Sequence, residues 1–156
     1  MDRQSTLAQL EELLPIAVQW AADQERRVLC EGVGLSEIEM ADAQAIGVRN
    51  PERVRLLRVE MIPVPAHPML RAAAASINFL TAAPRGLALA YGIFVRADQW
   101  RDRELIAHEL VHTAQYQRLG GLLPFLQTYI YQCATVGYSN APLEVEAVAT
   151  AARVCS

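Results

Sequence analysis

Lysine is absent from this chain of 156 residues, and histidine and cysteine each occur only three times. Every basic residue is therefore an arginine, and the net charge of −3 provides no overall positive field to attract nucleic acid. Cys30, Cys133 and Cys155 are odd in number and far apart in sequence, which fits neither a disulfide framework nor a structural zinc spacing. We interpret them as free thiols in a reducing cytoplasm.

The sequence also lacks a long unbroken apolar run. Its most apolar region, residues 70–95, is interrupted by Arg71, Pro84 and Arg85, so no membrane partner is expected. The first residues lack the apolar core and the small-residue cleavage site of a signal peptide. A composition of 53% hydrophobic and 20% charged residues predicts a single globular domain over residues 1–156, located in the cytoplasm.

Two of the three histidines lie together, because residues 108–112 read H-E-L-V-H. Residues 100–118 contain no proline or glycine, and the glycine pair at 120–121 is a stop signal, so this segment is predicted to be helical. Residues four apart on a helix share one face, which lets two imidazoles bind one Zn²⁺ while the glutamate reaches a water molecule on it. This pattern is the known zinc metallopeptidase signature. It predicts one zinc ion per chain, with His108 and His112 as ligands and Glu109 as general base.

A zinc site of this kind needs a third protein ligand. Arg118 stands where a third histidine would follow the motif, and His67 lies in a proline-flanked turn that predicts a surface or capping role. Acidic residues are the better candidates, since Glu144 and Glu146 open a helix predicted to start at Pro142. Two residues apart on a helix, they point in nearly opposite directions, so only one can face the metal. We favour Glu144, with Glu146 as the alternative.

Two further side chains are candidates for supporting roles. Tyr138 lies in the loop that leads into the Glu144 helix, and it is our candidate for stabilising an oxyanion; the alternative is local packing and hydrogen bonding. Gln115 lies one turn beyond His112, where it either orients a ligand, lines the cleft, or has a capping or surface role.

Three stretches together resemble the small zincin domains of bacterial DUF4157-like metallopeptidases, which have a gluzincin-type arrangement. They are the apolar residues 88–95, the run A-H-E-L-V-H-T-A-Q at 107–115, and A-P-L-E-V-E-A at 141–147. The resemblance implies a zinc ion held by His108, His112 and Glu144, with Glu109 as general base. Ala141 and Val148 depart from the family pattern, and the departure at 148 keeps Glu146 open as a ligand. Residues 1–80 carry no recognised motif.

The remaining pattern predicts an α+β domain that is mostly helical. Besides the motif helix, helices are predicted at 7–29 (bent near Pro15 or divided there), 36–46 with a Ser36–Glu39 capping box, 68–78, 123–136 and 142–154. Strands are predicted at 54–64 and 87–95. We expect residues 87–154 to form a zincin-like core, with a short β-sheet against the H-E-x-x-H helix. The strand at 87–95 is either an edge that pairs with an extended peptide or an ordinary buried strand.

These observations support three functions. The first is a zinc-dependent metallopeptidase that acts on a peptide or protein substrate, which the intact Glu109 favours. The second is a non-proteolytic zinc-binding scaffold or interaction module, which the small size of the chain favours. The third is a zinc hydrolase of non-peptide amides, which the same chemistry permits. The sequence does not fix the oligomeric state.

Overall fold

The computed structural model describes residues 3–76 and 84–156. Within these ranges the chain forms six α-helices and a three-stranded sheet, which confirms the predicted, mostly helical α+β class. The helices are α1 (Arg3–Glu31), α2 (Glu37–Ile46), α3 (Pro68–Ser76), α4 (Arg103–Leu119), α5 (Leu122–Val136) and α6 (Pro142–Cys155), and the strands are β1 (Arg55–Val59), β2 (Gly86–Leu89) and β3 (Gly92–Arg96). None of the helices described is both long and apolar enough to cross a membrane.

The sheet has the order β1-β3-β2, with β1 parallel and β2 antiparallel to the central strand. The prediction of one strand at 87–95 was wrong, because these residues form a hairpin that turns at Ala90 and Tyr91. Ala90 has a left-handed φ of 55°. Side chains from two helices hold the turn: Thr113 Oγ1 donates to the Ala90 carbonyl at 2.8 Å, and the Glu25 carboxylate accepts from the Tyr91 N–H at 3.0 Å. Lacking an Asn-Gly or Asp-Gly pair, the segment carries no strong local hairpin signal.

The helix ends follow local capping chemistry. Ser36 Oγ accepts from the Glu39 N–H, and the Glu39 carboxylate accepts from the Ser36 N–H, which confirms the predicted capping box. Asp102 caps α4 by accepting from the Leu105 N–H at 2.9 Å. His67 is exposed and its Nδ1 accepts from the Leu70 N–H at the start of α3, as its surface or capping prediction required.

Other predicted bounds differ modestly from the observed ones. The first helix runs through Pro15 without a division. The strand predicted at 54–64 is shorter, since β1 ends at Val59, before the prolines that cannot continue a ladder. The predicted end of α3 at Asn78 lies outside the described residues.

The sheet separates two apolar clusters, and α4 contributes to both. Phe94 and Ile93 are neighbours on β3, but their side chains point to opposite faces and enter different clusters. Tyr116 of α4 packs in the cluster with Phe94, whereas Leu110 of α4 packs in the cluster with Ile93. Burial of one such side chain contributes about 1.5–3 kcal/mol to the stability of the fold. Because α4 buries side chains in both clusters, this helix, which carries the H-E-x-x-H motif, is held from two sides.

Candidate metal centre

Three side chains from two helices converge at one point. His108 and His112 project from successive turns of α4, with ring centroids 4.9 Å apart. Glu144, in the first turn of α6, reaches both rings: its Oε2 lies 3.1 Å from His108 Nε2, and its Oε1 lies 3.0 Å from His112 Nε2. One potential ligand atom from each residue lies within 4.8 Å of the others. The structure therefore brings together the three residues that the sequence suggested as metal ligands.

The hydrogen bonds of His112 test whether these residues fit a cation. Its Nδ1 lies 2.8 Å from Gln115 Oε1, and its Nε2 faces Glu144, so both ring nitrogens face oxygens that act as acceptors. A neutral imidazole has only one N–H, so without a cation the ring must be doubly protonated or leave one contact unsatisfied. A cation between the Nε2 atoms and the carboxylate removes this conflict. Two imidazole nitrogens and one carboxylate oxygen form a ligand set that suits Zn²⁺.

The electrostatics of Glu144 and His112 are strongly coupled. Burial alone would raise the pKa of Glu144, but hydrogen bonds with His108, His112 and Tyr129 outweigh it and hold that pKa well below its usual value. Burial alone would lower the pKa of His112, but the carboxylates of Glu144 and Glu109 raise it above its ordinary value. Glu144 is therefore an anion at neutral pH, as a metal-binding carboxylate must be.

Glu109 lies beside this group on α4 and is buried. Its carboxylate is so close to β2 that a Cβ atom on Gly86 would lie 3.1 Å from Glu109 Oε1. Burial raises the pKa of Glu109, against the opposing effects of His112, His108 and a hydrogen bond with the Ala88 backbone. A carboxyl group whose pKa is shifted toward neutrality is suited to accept and return a proton.

A cleft of about 690 Å³ opens onto His108, Glu109 and Glu144. It is lined by Pro84, Arg85, Gly86, Asp102, Glu104, Leu105, His108, Glu109, Tyr138, Ser139, Glu144, Val148 and Ala151. Tyr138 is 42% exposed at the rim. Burial of its hydroxyl and the charges of Glu144 and Glu109 raise its pKa, which keeps it protonated and able to donate. Tyr138 and Glu109 line the same cleft, and the role of Tyr138 in stabilising an oxyanion stays a prediction.

The two alternatives for the acidic ligand have different surroundings. Glu146 accepts from Gln115 Nε2 at 2.6 Å and pairs with Arg118 at 3.0 Å, whereas Glu144 faces both histidines. Gln115 is completely buried, which does not fit the predicted surface role. Its side chain contacts His112, a candidate ligand, as the predicted orienting role requires.

Sequence reasoning missed Tyr129 of α5. Its hydroxyl donates to Glu144 Oε1 at 2.7 Å, and its ring lies edge-on to His112 with centroids 6.0 Å apart. Burial and the adjacent Glu144 carboxylate raise the pKa of Tyr129 far above its usual value, so the hydroxyl remains a donor. One sequence signal could have indicated this contact. Tyr129 lies on the apolar stripe of a predicted helix, and a tyrosine hydroxyl that is buried in this way needs a hydrogen-bond partner.

The outer side of β2 is covered by α4. Glu109 hydrogen-bonds the Ala88 backbone, and the Tyr116 hydroxyl donates to the Ala88 carbonyl at 3.1 Å. In the turn that follows β2, Thr113 donates to the Ala90 carbonyl. Of the two predicted roles for this strand, the structure favours an ordinary buried strand over most of its length. Gly86 is the residue of β2 that lines the cleft.

Comparisons with known proteins do not add a relative to this picture. No family model, no curated protein and no solved structure matches the chain. Any functional conclusion therefore depends on the residues of the site and their chemistry.

Proposed function

We propose that this protein is a zinc-dependent metallopeptidase that binds one Zn²⁺ per chain through His108, His112 and Glu144. One observation carries the proposal: two imidazole nitrogens and a carboxylate oxygen lie within 4.8 Å of one another, beside a cleft that His108, Glu144 and Glu109 line. A structural zinc site is normally closed by four protein ligands, whereas a catalytic one keeps a position open for water or substrate. Three protein ligands beside a cleft match the catalytic type.

The chain's own residues would divide the work of peptide hydrolysis. Zinc in such a site supplies Lewis acidity, which lowers the pKa of water and polarises a carbonyl group. Glu109 accepts the proton of the attacking water and then delivers it to the leaving amine. Its raised pKa makes the first transfer easier, because the conjugate base of a weaker acid is a stronger base and accepts the proton of water more readily. The Tyr138 hydroxyl donates to the oxyanion from the cleft rim.

Hydrolysis of a small non-peptide amide is the second candidate. The cleft volume of about 690 Å³ falls within the range of roughly 300–1,000 Å³ that is typical of small-molecule sites. A purely structural scaffold explains the arrangement less well, because a metal-holding site does not require a buried carboxyl at Glu109, where burial opposes its charge. We infer a peptide or protein substrate first because the motif is the metallopeptidase signature.

We also propose that the protein works in a reducing compartment such as the cytoplasm. Cys30, Cys133 and Cys155 are all free thiols, and Cys30 is exposed. An exposed free thiol is more typical of reducing than of oxidising surroundings.

The proposal is tested by metal analysis and peptide cleavage on the same preparations. Wild-type protein should contain about one zinc per chain and cleave members of a diverse peptide mixture. Glu109→Gln should retain zinc and lose roughly 10²–10⁴-fold in cleavage, the usual contribution of a general base. His112→Ala should lose stoichiometric zinc, whereas His67→Ala, which removes the exposed histidine, should not. A wild-type protein without stoichiometric zinc, or a Glu109→Gln variant as active as wild type, would overturn the proposal.

A further inference from the structure

The side chain of Gln115 is completely buried, and both its oxygen and its nitrogen have hydrogen-bond partners. Its Oε1 lies 2.8 Å from His112 Nδ1. Its Nε2 donates to the Leu143 carbonyl at 2.9 Å and to Glu146 Oε1 at 2.6 Å. A single amide thus contacts His112, one candidate ligand, on its own helix. On α6 it contacts Leu143, which immediately precedes Glu144, another candidate ligand.

The chemistry of these contacts allows only one orientation of the amide. The reversed orientation would place Oε1 against the Leu143 carbonyl and the Glu146 carboxylate, which can only accept. Nε2 therefore faces those two oxygens, and Oε1 faces His112. An amide oxygen cannot donate, so the proton of the contact must be on His112 Nδ1. The other nitrogen, Nε2, then has its lone pair free in the neutral ring, which is the form that binds a metal there.

The orientation of Gln115 is supported in turn from the surface. Glu146 accepts from Arg118 through both terminal nitrogens, at 3.0 and 3.4 Å, while it also accepts from Gln115. The contacts therefore form a chain from Arg118 through Glu146 and Gln115 to His112. Its inner end ties α4 to α6 at the Leu143 carbonyl.

We propose that Gln115 is a positioning residue of the metal centre: it fixes the Nδ1–H form and ring orientation of His112 and, through Leu143, the placement of Glu144. Glu146 belongs to this support rather than to the ligand set. This inference rests on the proposed function, because it assumes a zinc ion at His112 Nε2.

The first test measures zinc affinity by competition with a chromophoric chelator. Gln115→Ala should bind zinc about 10–100-fold more weakly than wild type, the range for the loss of a hydrogen bond to a ligand histidine. Gln117→Ala is the matched control: Gln117 lies on the same helix and also hydrogen-bonds distant residues, Arg49 and Tyr91, but it contacts no ligand. Its zinc affinity should equal that of wild type. The visible spectrum of the Co²⁺-loaded protein should change for Gln115→Ala only, because it reports ligand geometry.

The second test is a rescue, which remains decisive if Gln115→Ala does not fold. Gln115→Glu places a carboxylate against the Leu143 carbonyl and Glu146, so its zinc affinity should fall. Adding Glu146→Gln supplies an amide that can donate to the new carboxylate, so the double variant should recover about tenfold or more over Gln115→Glu alone. Wild-type zinc affinity in Gln115→Ala, or in Gln115→Glu without its partner change, would overturn the inference while leaving the proposed function in place. A wild-type protein that binds no zinc would overturn both.

Discussion

Glu109 is a residue whose burial opposes its charge. Its pKa is raised chiefly by burial, so folding favours its protonated form. A raised carboxyl pKa contributes stability that is fully present below the unfolded-state pKa and is lost as the pH rises through the folded-state pKa. At neutral pH the burial of the Glu109 carboxyl is therefore destabilising in the metal-free protein.

We expect metal-free Glu109→Gln to be more stable than wild type at neutral pH. The gain in the free energy of unfolding should be about 1–3 kcal/mol, the scale for an unfavourably buried polar group. It should become small at about pH 4, where the wild-type carboxyl is mostly protonated in both the folded and the unfolded state. Urea unfolding with chelator present measures both values. The control is Glu104→Gln, at an exposed position on the same helix, which should change the free energy of unfolding little. Equal stability of Glu109→Gln and wild type at neutral pH would contradict this prediction.

Tyr129 is the residue whose hydroxyl holds Glu144. Tyr129→Phe removes the 2.7 Å hydrogen bond to Glu144 Oε1 but keeps the ring that packs on His112. A hydrogen bond to a charged group contributes about 1.5–3 kcal/mol, so zinc affinity should fall by roughly tenfold or more. Chelator competition measures the loss. Tyr131→Phe on the exposed side of the same helix is the control, and an unchanged affinity in Tyr129→Phe would show that Glu144 needs no such support.

The sequence supports inference about these residues to different degrees. The pairing of His108 with His112 follows from helical spacing, because four residues make about one turn, and the role predicted for Glu109 follows from the known H-E-x-x-H signature. Spacing also shows that only one of Glu144 and Glu146 can face the histidines. Which one does so depends on how α6 docks against α4, and no local pattern encodes that docking. The Tyr129 contact is still less accessible, since it requires α5 to pack beside both helices.

At the scale of elements, the helices were more predictable than the strands. The Ser36–Glu39 capping box and the proline at the start of α6 are local signals, and both helices begin there. The hairpin of β2 and β3 has no comparable signal. Its turn at Ala90 is stabilised by Thr113 and Glu25, which lie far away in sequence. An apolar run of this length gives the same pattern whether it forms one strand or two short ones.

The contact between β2 and α4 fixes the position of the general base in our proposal. A Cβ atom on Gly86 would lie 3.1–3.3 Å from the Oε1, Cγ and Cδ atoms of Glu109, which is tight enough to displace that side chain. We expect Gly86→Ala to lower peptide cleavage by about 10-fold or more, since small misplacements of a reacting group can cost about 10²-fold. Zinc affinity should change much less, because the three atoms nearest an added Cβ all belong to Glu109 and none to a proposed ligand.

The measurement compares cleavage rate and zinc content of Gly86→Ala with those of Gly34→Ala. Among residues 3–76 and 84–156, a Cβ atom at Gly34 would meet only Arg55 Nη1, at 3.9 Å, so that variant should resemble wild type in both assays. Full cleavage by Gly86→Ala would show that Glu109 adapts to the added methyl group or is not the base.

At the scale of the whole molecule, a metal ion would join α4 and α6. The metal-free protein should nevertheless fold, because the two apolar clusters that hold the helices and the sheet together contain none of the proposed ligands. Zinc at about 100 times its dissociation constant adds about 2.7 kcal/mol, which corresponds to roughly 5–10 °C in Tm for a chain of this size. Chelation should lower the Tm by that amount while leaving the far-ultraviolet circular dichroism unchanged at 25 °C.

The size of this zinc-dependent shift should rise with pH, because zinc must displace a proton from His112. The pKa of His112 is raised above 6.5 in the metal-free protein, so its stabilising contribution is fully present below 6.5 and is lost as the pH rises through that raised value. Zinc competes with the proton on the same ring, so its binding strengthens over the same interval. The difference in Tm with and without zinc should therefore be small at about pH 5.5 and largest at about pH 8.5. His67→Ala should follow the wild-type curve and His112→Ala should show no shift, whereas a shift independent of pH would mean that zinc binds elsewhere.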